Sequence, residues 1–151
     1  MVLAMIIKRG FTLIELLVVI SVIGILISVI AASFTTSQKR GRDVKRRADL
    51  AAIQQSLEQC FVLNAVYPTA AMISFGSALT CGMQTTMNLV PLDPKNAAPY
   101  VYTYTINAGL TSYCLCALLE QTGAGNAGTV GVGGSCSFGG SKNYQCIGSQ
   151  Q

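Results

Sequence analysis

One carboxylate, Glu15, sits inside the run KRGFTLIELLVVISVIGILISVI at residues 8–30. From Phe11 to Phe34 it is the only ionisable side chain, and Lys8 and Arg9 stand just ahead of Gly10. An ionised carboxylate in hydrocarbon costs at least a few kcal/mol, so an acid in such a setting needs a partner. A free α-amino group is the first candidate. Cutting the chain after Gly10 makes Phe11 a new N-terminus, about one helical turn from Glu15. Within one chain the geometry of that pair is poor. Between neighbouring copies staggered along an axis, Glu15 of one meets the Phe11 amine of the next, and the pairing sets the stagger. Two plainer readings compete. One is a secretory signal, with Lys8 and Arg9 as its basic start and a cut near Ala31-Ala32. The other is a signal anchor that keeps Glu15 hydrated near the headgroups.

Sulfur is the second source of chemistry. Cys60, Cys81, Cys114, Cys116, Cys136 and Cys146 all follow the apolar run, and the chain has no histidine. A mixed Cys/His zinc site is therefore excluded. A four-cysteine site wants paired CxxC knuckles, and the close pair here is Cys114-Leu115-Cys116. An even count in a small exported domain favours disulfides and an oxidising space. A redox role for Cys114 and Cys116 is the sharper reading, but beside four other cysteines two structural bridges are expected. A Cys60–Cys81 bridge would staple a helix end to a loop. Cys114 and Cys116 would then pair with Cys136 and Cys146, in an order left open. No metal, cofactor or enzymatic activity is expected. The commonest general base is missing, and Gly131-Val132-Gly133-Gly134 lacks the strand and helix that a phosphate loop requires.

The elements that must position these groups are legible in outline. The apolar fraction of 51% is concentrated in residues 11–34. About 24 helical residues reach about 36 Å, enough to cross a bilayer. Leu50, Ile53, Leu57 and Phe61 recur at spacings of three and four, which predicts an amphipathic helix with one face on a core. Tyr67-Pro68 ends it. The expected parts are a leader at residues 1–10, a membrane-spanning helix at 11–34, an amphipathic stem at 35–66 and a β-rich head at 67–151. In the head, residues 69–90 read as a loop with room for a short helix, and residues 91–96 as a turn. Residues 100–106 predict a strand. Residues 111–120 predict another, with Tyr113, Leu115, Ala117 and Leu119 on one side and Cys114 and Cys116 on the other. The glycine-rich residues 122–141 read as a flexible loop, and residues 143–147 as a third strand. The fold class is α+β: a long N-terminal helix on a small antiparallel sheet with disulfide-stapled loops.

Net charge is +4, and six of the ten basic residues fall in KRGRDVKRR at residues 39–47. These are expected on the outer headgroup surface, drawn to anionic lipid, or facing Asp43, Asp49 or Glu58 of neighbouring copies. Basic residues also attract nucleic acid without reading its sequence, but no stacking aromatics are interleaved.

Gly10-Phe11-Thr12-Leu13-Ile14-Glu15, behind a basic leader and ahead of about twenty apolar residues, resembles the signal of type IV pilins and pseudopilins. Tyr67-Pro68, Val90-Pro91-Leu92-Asp93-Pro94 and Tyr100-Val101-Tyr102 are similar to the later pattern of small pilins and major pseudopilins. The resemblance implies cleavage after Gly10 by a prepilin peptidase, N-methylation of Phe11 and an assembly role for Glu15. It implies a single-pass inner-membrane subunit with a cytoplasmic N-terminus, later packed with its own copies in an extracellular filament. An assembly ATPase and a membrane platform protein are the implied partners. The leading expectation is a type IV pilus subunit for adhesion, motility or DNA uptake. The alternatives are a pseudopilin of type II secretion and a membrane-tethered binding or redox domain. The chain departs from the pattern at Ala32, where many members carry proline. It also has no acid after Glu120, where major pseudopilins often hold calcium, and it has six cysteines in place of a single pair.

Overall fold

A computed structural model describes residues 10–151, and at residues 29–32 the backbone alone. The expected leader, Gly10 excepted, lies outside the described residues. The chain divides into two compact units, Met1–Gln38 and Lys39–Gln151, and helix α1 (Leu13–Asn64) contributes to both.

In the first unit every described side chain from Phe11 to Ser28, and from Ser33 to Gln38, is exposed. Large apolar side chains point in all directions, which is the composition of a helix that lipid or other chains surround. By length and composition α1 can cross a membrane. Its hydroxyls are satisfied locally. Ser21 donates to the Val18 carbonyl at 2.8 Å and Ser28 to that of Ile25 at 2.7 Å, leaving neither hydroxyl to face oil unpaired.

In the second unit α1 turns one stripe inward. Leu50, Ile53, Leu57 and Cys60 are fully buried, and Phe61 packs at the edge of the same core. The helix ends at Asn64 because Ala65 adopts the left-handed conformation (φ 57°), with its N–H on the Phe61 carbonyl at 2.7 Å. This is the usual helix-stop geometry, with alanine where glycine is commoner.

The head carries two antiparallel sheets. The first is a hairpin of β1 (Leu79–Cys81) and β2 (Gln84–Met87), turned through Gly82 at φ +64°. Residues 69–90 are thus more than a loop: a short 3-10 helix (Ala70–Met72) precedes the hairpin. Strands of three and four residues are too brief for a periodic signal, so this hairpin was not legible. The second sheet has the order β3 (Thr103–Ile106), β4 (Tyr113–Leu118), β5 (Tyr144–Gly148). The first strand starts later than residue 100 because Tyr100 closes a turn on the Ala97 carbonyl.

Both faces of β4 are buried. Tyr113, Leu115 and Ala117 meet the helix, with Tyr113 edge-on to Tyr67 at 4.7 Å. Cys114 and Cys116 face away, into a second cluster with Ala127 and Cys146. The cover on that side is the glycine-rich segment, so its expected flexibility is corrected. Asn126 lies against β5 like a further strand residue, taking the Cys146 N–H and donating to the Cys146 carbonyl, both at 2.7 Å. A Cβ at Gly125 would collide with the Tyr144 carbonyl, and one at Gly131 would lie 2.6 Å from Cys114 Sγ. These glycines permit close approach of backbones and do not mark mobility. A Gly125→Ala variant is expected to lose about 1–3 kcal/mol of stability by overpacking, read as a lower urea midpoint at unchanged m-value.

Disulfides join Cys60 to Cys81, Cys114 to Cys136 and Cys116 to Cys146. The first ties the last turn of α1 to β1. The third joins residues directly opposite on β4 and β5.

Candidate functional site

At the start of α1 the segment Thr12-Leu13-Ile14-Glu15 builds a cap. The Glu15 carboxylate accepts the Thr12 N–H at 2.9 Å and the Thr12 hydroxyl at 2.7 Å. The Glu15 N–H in turn reaches Thr12 Oγ1 at 3.3 Å. This is the reciprocal capping box, which satisfies helix N–H groups that have no carbonyl ahead of them. The Thr-x-x-Glu spacing of Thr12 and Glu15 carries that signal in the sequence. The cap satisfies hydrogen bonds with neutral donors, and among the described residues no cation pairs with the Glu15 charge. Gly10 and Phe11 precede the cap and are exposed.

The second polar site lies at the start of the Lys39–Gln151 unit, and it corrects the reading of the basic stretch in part: Arg46 is buried and Arg42 half-buried, while Lys39, Arg40, Lys45 and Arg47 stay exposed. Asp43 and Arg46 extend the inward stripe of Leu50, Ile53 and Leu57 by the same three–four spacing, and both are buried. Arg46 donates to both Asp93 oxygens at 2.6 and 2.9 Å, to Asp43 at 2.7 Å and to Glu120 at 3.1 Å. Arg42 adds a two-point contact to Glu120 at 2.5 and 2.8 Å, and Lys95 reaches it at 3.3 Å. The Asp43 carboxylate also accepts the N–H groups of Glu120 and Gln121. Asp43 is therefore consumed within its own chain and is not free for a neighbour. Tyr100 lies beneath both cations, 4.9 Å from the Arg46 guanidinium and 4.2 Å from the Lys95 ammonium. The Pro-Leu-Asp-Pro turn thus supplies the acid that clamps the helix to the head. In a head poor in charge, a lone acid between prolines was the available hint.

Burial opposes the Arg46 charge, but its hydrogen bonds to Asp93, Asp43 and Glu120 outweigh that and raise its pKa. The Arg42 contact foremost, then Arg46 and Lys95, holds Glu120 down at about 2, from an ordinary 4.5. The group is depressed on folding, so its stabilisation is complete above pH 4.5 and is lost as pH falls through about 2. Urea midpoints of the full chain in detergent should drop across that window, and Glu120→Gln should flatten that part of the profile.

Asp49 and Glu58 are also occupied. Asp49 accepts Tyr102 at 2.7 Å, while Glu58 accepts Tyr67 at 2.8 Å and Tyr113 at 3.0 Å. The sulfurs of Cys114, Cys116 and Cys146 lie within 4.8 Å of one another. Each already has a sulfur partner, so this closeness comes from two neighbouring bridges and not from a ligand set. Burial of three of these four sulfurs also works against a redox role.

An apolar helix long enough to span a bilayer, capped through a carboxylate and continued into a disulfide-stapled α+β head, fits a membrane-anchored precursor. The family model described as the prokaryotic N-terminal methylation motif matches residues 5–31. The chain is similar to the type II secretion system core protein G of Escherichia coli (strain K12), 34% identical over 62 residues, covering 41% of this chain and 43% of that protein. It is also similar to the core protein G of Klebsiella pneumoniae, 33% identical over 76 residues, covering 47% and 54%. The chain spans about half the length of the curated relatives it matches. No solved structure matches it. The motif and the core protein G similarity are both consistent with the type IV pilins and pseudopilins.

Proposed function

We propose that this chain is a filament subunit, cleaved after Gly10, methylated on Phe11 and polymerised through its apolar helix, in the first reading as part of a type IV pilus. The observation that carries this is Glu15: a carboxylate capped by neutral donors at the head of a helix whose described side chains from Phe11 to Ser28 are all exposed. Such a surface must be covered by lipid or by other chains, and the residual charge wants a cation. An amine freed at Phe11 of an adjacent copy supplies one. A prepilin peptidase would make the cut on the cytoplasmic side. An assembly ATPase and a platform protein would drive growth from the inner membrane. A second reading, a pseudopilin of a type II secretion system, is favoured by the matched relatives, which bear the name core protein G.

Intact mass of material sheared from cells tests the shared part. The expected product begins at Phe11 with one methyl group. Retention of Met1, or a start beyond Ala32, removes the amine from the position this mechanism needs. Deleting the chain separates the two readings: loss of surface filaments supports the pilus, and loss of protein export with filaments intact supports secretion.

A further inference from the structure

Every acid of the Lys39–Gln151 unit is engaged. Asp43, Asp93 and Glu120 are buried in the arginine clamp, while Asp49 and Glu58 are held by tyrosines. Several cations, in contrast, have no acid within reach. Lys39, Arg40, Lys45 and Lys142 are exposed and form no ion pair among the described residues. Arg47 spends one nitrogen on the Ala124 carbonyl, a neutral acceptor, and is otherwise exposed. The Lys142 carbonyl accepts the N–H of Gly125, next to that same Ala124, so the loop brings Lys142 to the side of the helix that bears Arg47. Along the helix at about 100° per residue, Arg40 and Arg47 share one face, while Lys39 and Lys45 lie about 90° and about 150° from it on either side. They form a collar and not a stripe. By chain position the collar begins five residues after Phe34, where the apolar run ends.

We propose that this collar is a binding surface for anionic phospholipid headgroups of the leaflet from which the apolar helix emerges. The match is one of charge and of place. Cations clustered just beyond a membrane helix attract anionic lipid. Here the neutralising acids have been withdrawn into the clamp, so the exposed charge of the collar is uniformly positive. The clamp thus acts twice: it fixes the helix to the head, and it leaves Lys39, Arg40, Lys45 and Arg47 without internal competitors. The inference rests on membrane anchorage and not on polymerisation.

The test uses the full chain in lipid nanodiscs, one set of phosphatidylcholine and one with about a quarter phosphatidylglycerol. Lysines are labelled with an amine-reactive ester and read peptide by peptide. Labelling at Lys39 and Lys45 is expected to slow about threefold or more in the anionic discs, and to recover near 1 M salt, where screening acts within roughly 3 Å. Lys95, already paired with Glu120, should not change. In the Lys39→Gln/Arg40→Gln/Arg47→Gln variant the protection at Lys45 should fall by about half or more, since neighbouring cations recruit the same headgroups. Equal labelling in both disc types, with the chain incorporated in each, overturns the proposal and leaves anchorage intact. Protection of these lysines by duplex DNA on phosphatidylcholine discs, to the same extent as by phosphatidylglycerol, also overturns it, since the collar would then be an unselective polyanion site.

Discussion

Replacing Arg46 with methionine is expected to cost about 3–5 kcal/mol of stability, because it leaves the carboxylates of Asp43, Asp93 and Glu120 facing one another without their shared cation. Methionine fills much of the same volume, so the loss reports charge more than packing. Chemical denaturation of the full chain in detergent, before and after substitution, measures it. The clamp makes a second, opposite demand. In an Arg46→Met background, Asp43→Asn with Asp93→Asn removes two of the orphaned charges and should restore stability by about 1–3 kcal/mol, since a buried ionic group is costly chiefly when its partner is missing. If Arg46→Met alone shifts the midpoint by under about 1 kcal/mol, the stem is held by its apolar stripe, and the clamp adds little.

The other large effect is at Glu15. Glutamine keeps an oxygen for the Thr12 N–H and hydroxyl, and the capping box accepts Glu or Gln alike. It removes only the charge. Glu15→Gln should therefore enter the membrane and keep its helix, while filament yield falls at least about tenfold. That corresponds to about 1.4 kcal/mol per contact, well inside the few kcal/mol that an unpaired amine costs in oil. Sheared filament against the membrane fraction, compared by immunoblot, gives the ratio. Normal filaments from Glu15→Gln would show that Glu15 serves the cap and that the intermolecular ion pair does not exist.

Elements whose cause is local are legible in the sequence. Leu50, Ile53 and Leu57 repeat at helical spacing, and those three residues are the buried stripe. Tyr113, Leu115 and Ala117 alternate with Cys114 and Cys116, and β4 divides them between its two faces. The β1–β2 hairpin was hidden because its strands are too short to show a period. Glycine in residues 122–141 suggests mobility when read by composition. Its actual use, close passage of Gly125 and Gly131 against Tyr144 and Cys114, depends on neighbours far along the chain.

By itself the sequence determined an apolar anchor carrying one carboxylate, a helical stem with an inward stripe, alternating strands and six sulfurs able to pair. Only the tertiary structure decided which charges are spent and which sulfurs meet. Arg46 finds Asp93 at 47 residues' separation and Glu120 at 74. Cys116 pairs with Cys146 because β4 and β5 set them opposite, while Cys114 faces Gly148 and turns to Cys136. Periodicity is written into adjacent residues by backbone geometry. Long-range pairing depends on how the strands register and on which groups the folded core excludes from water.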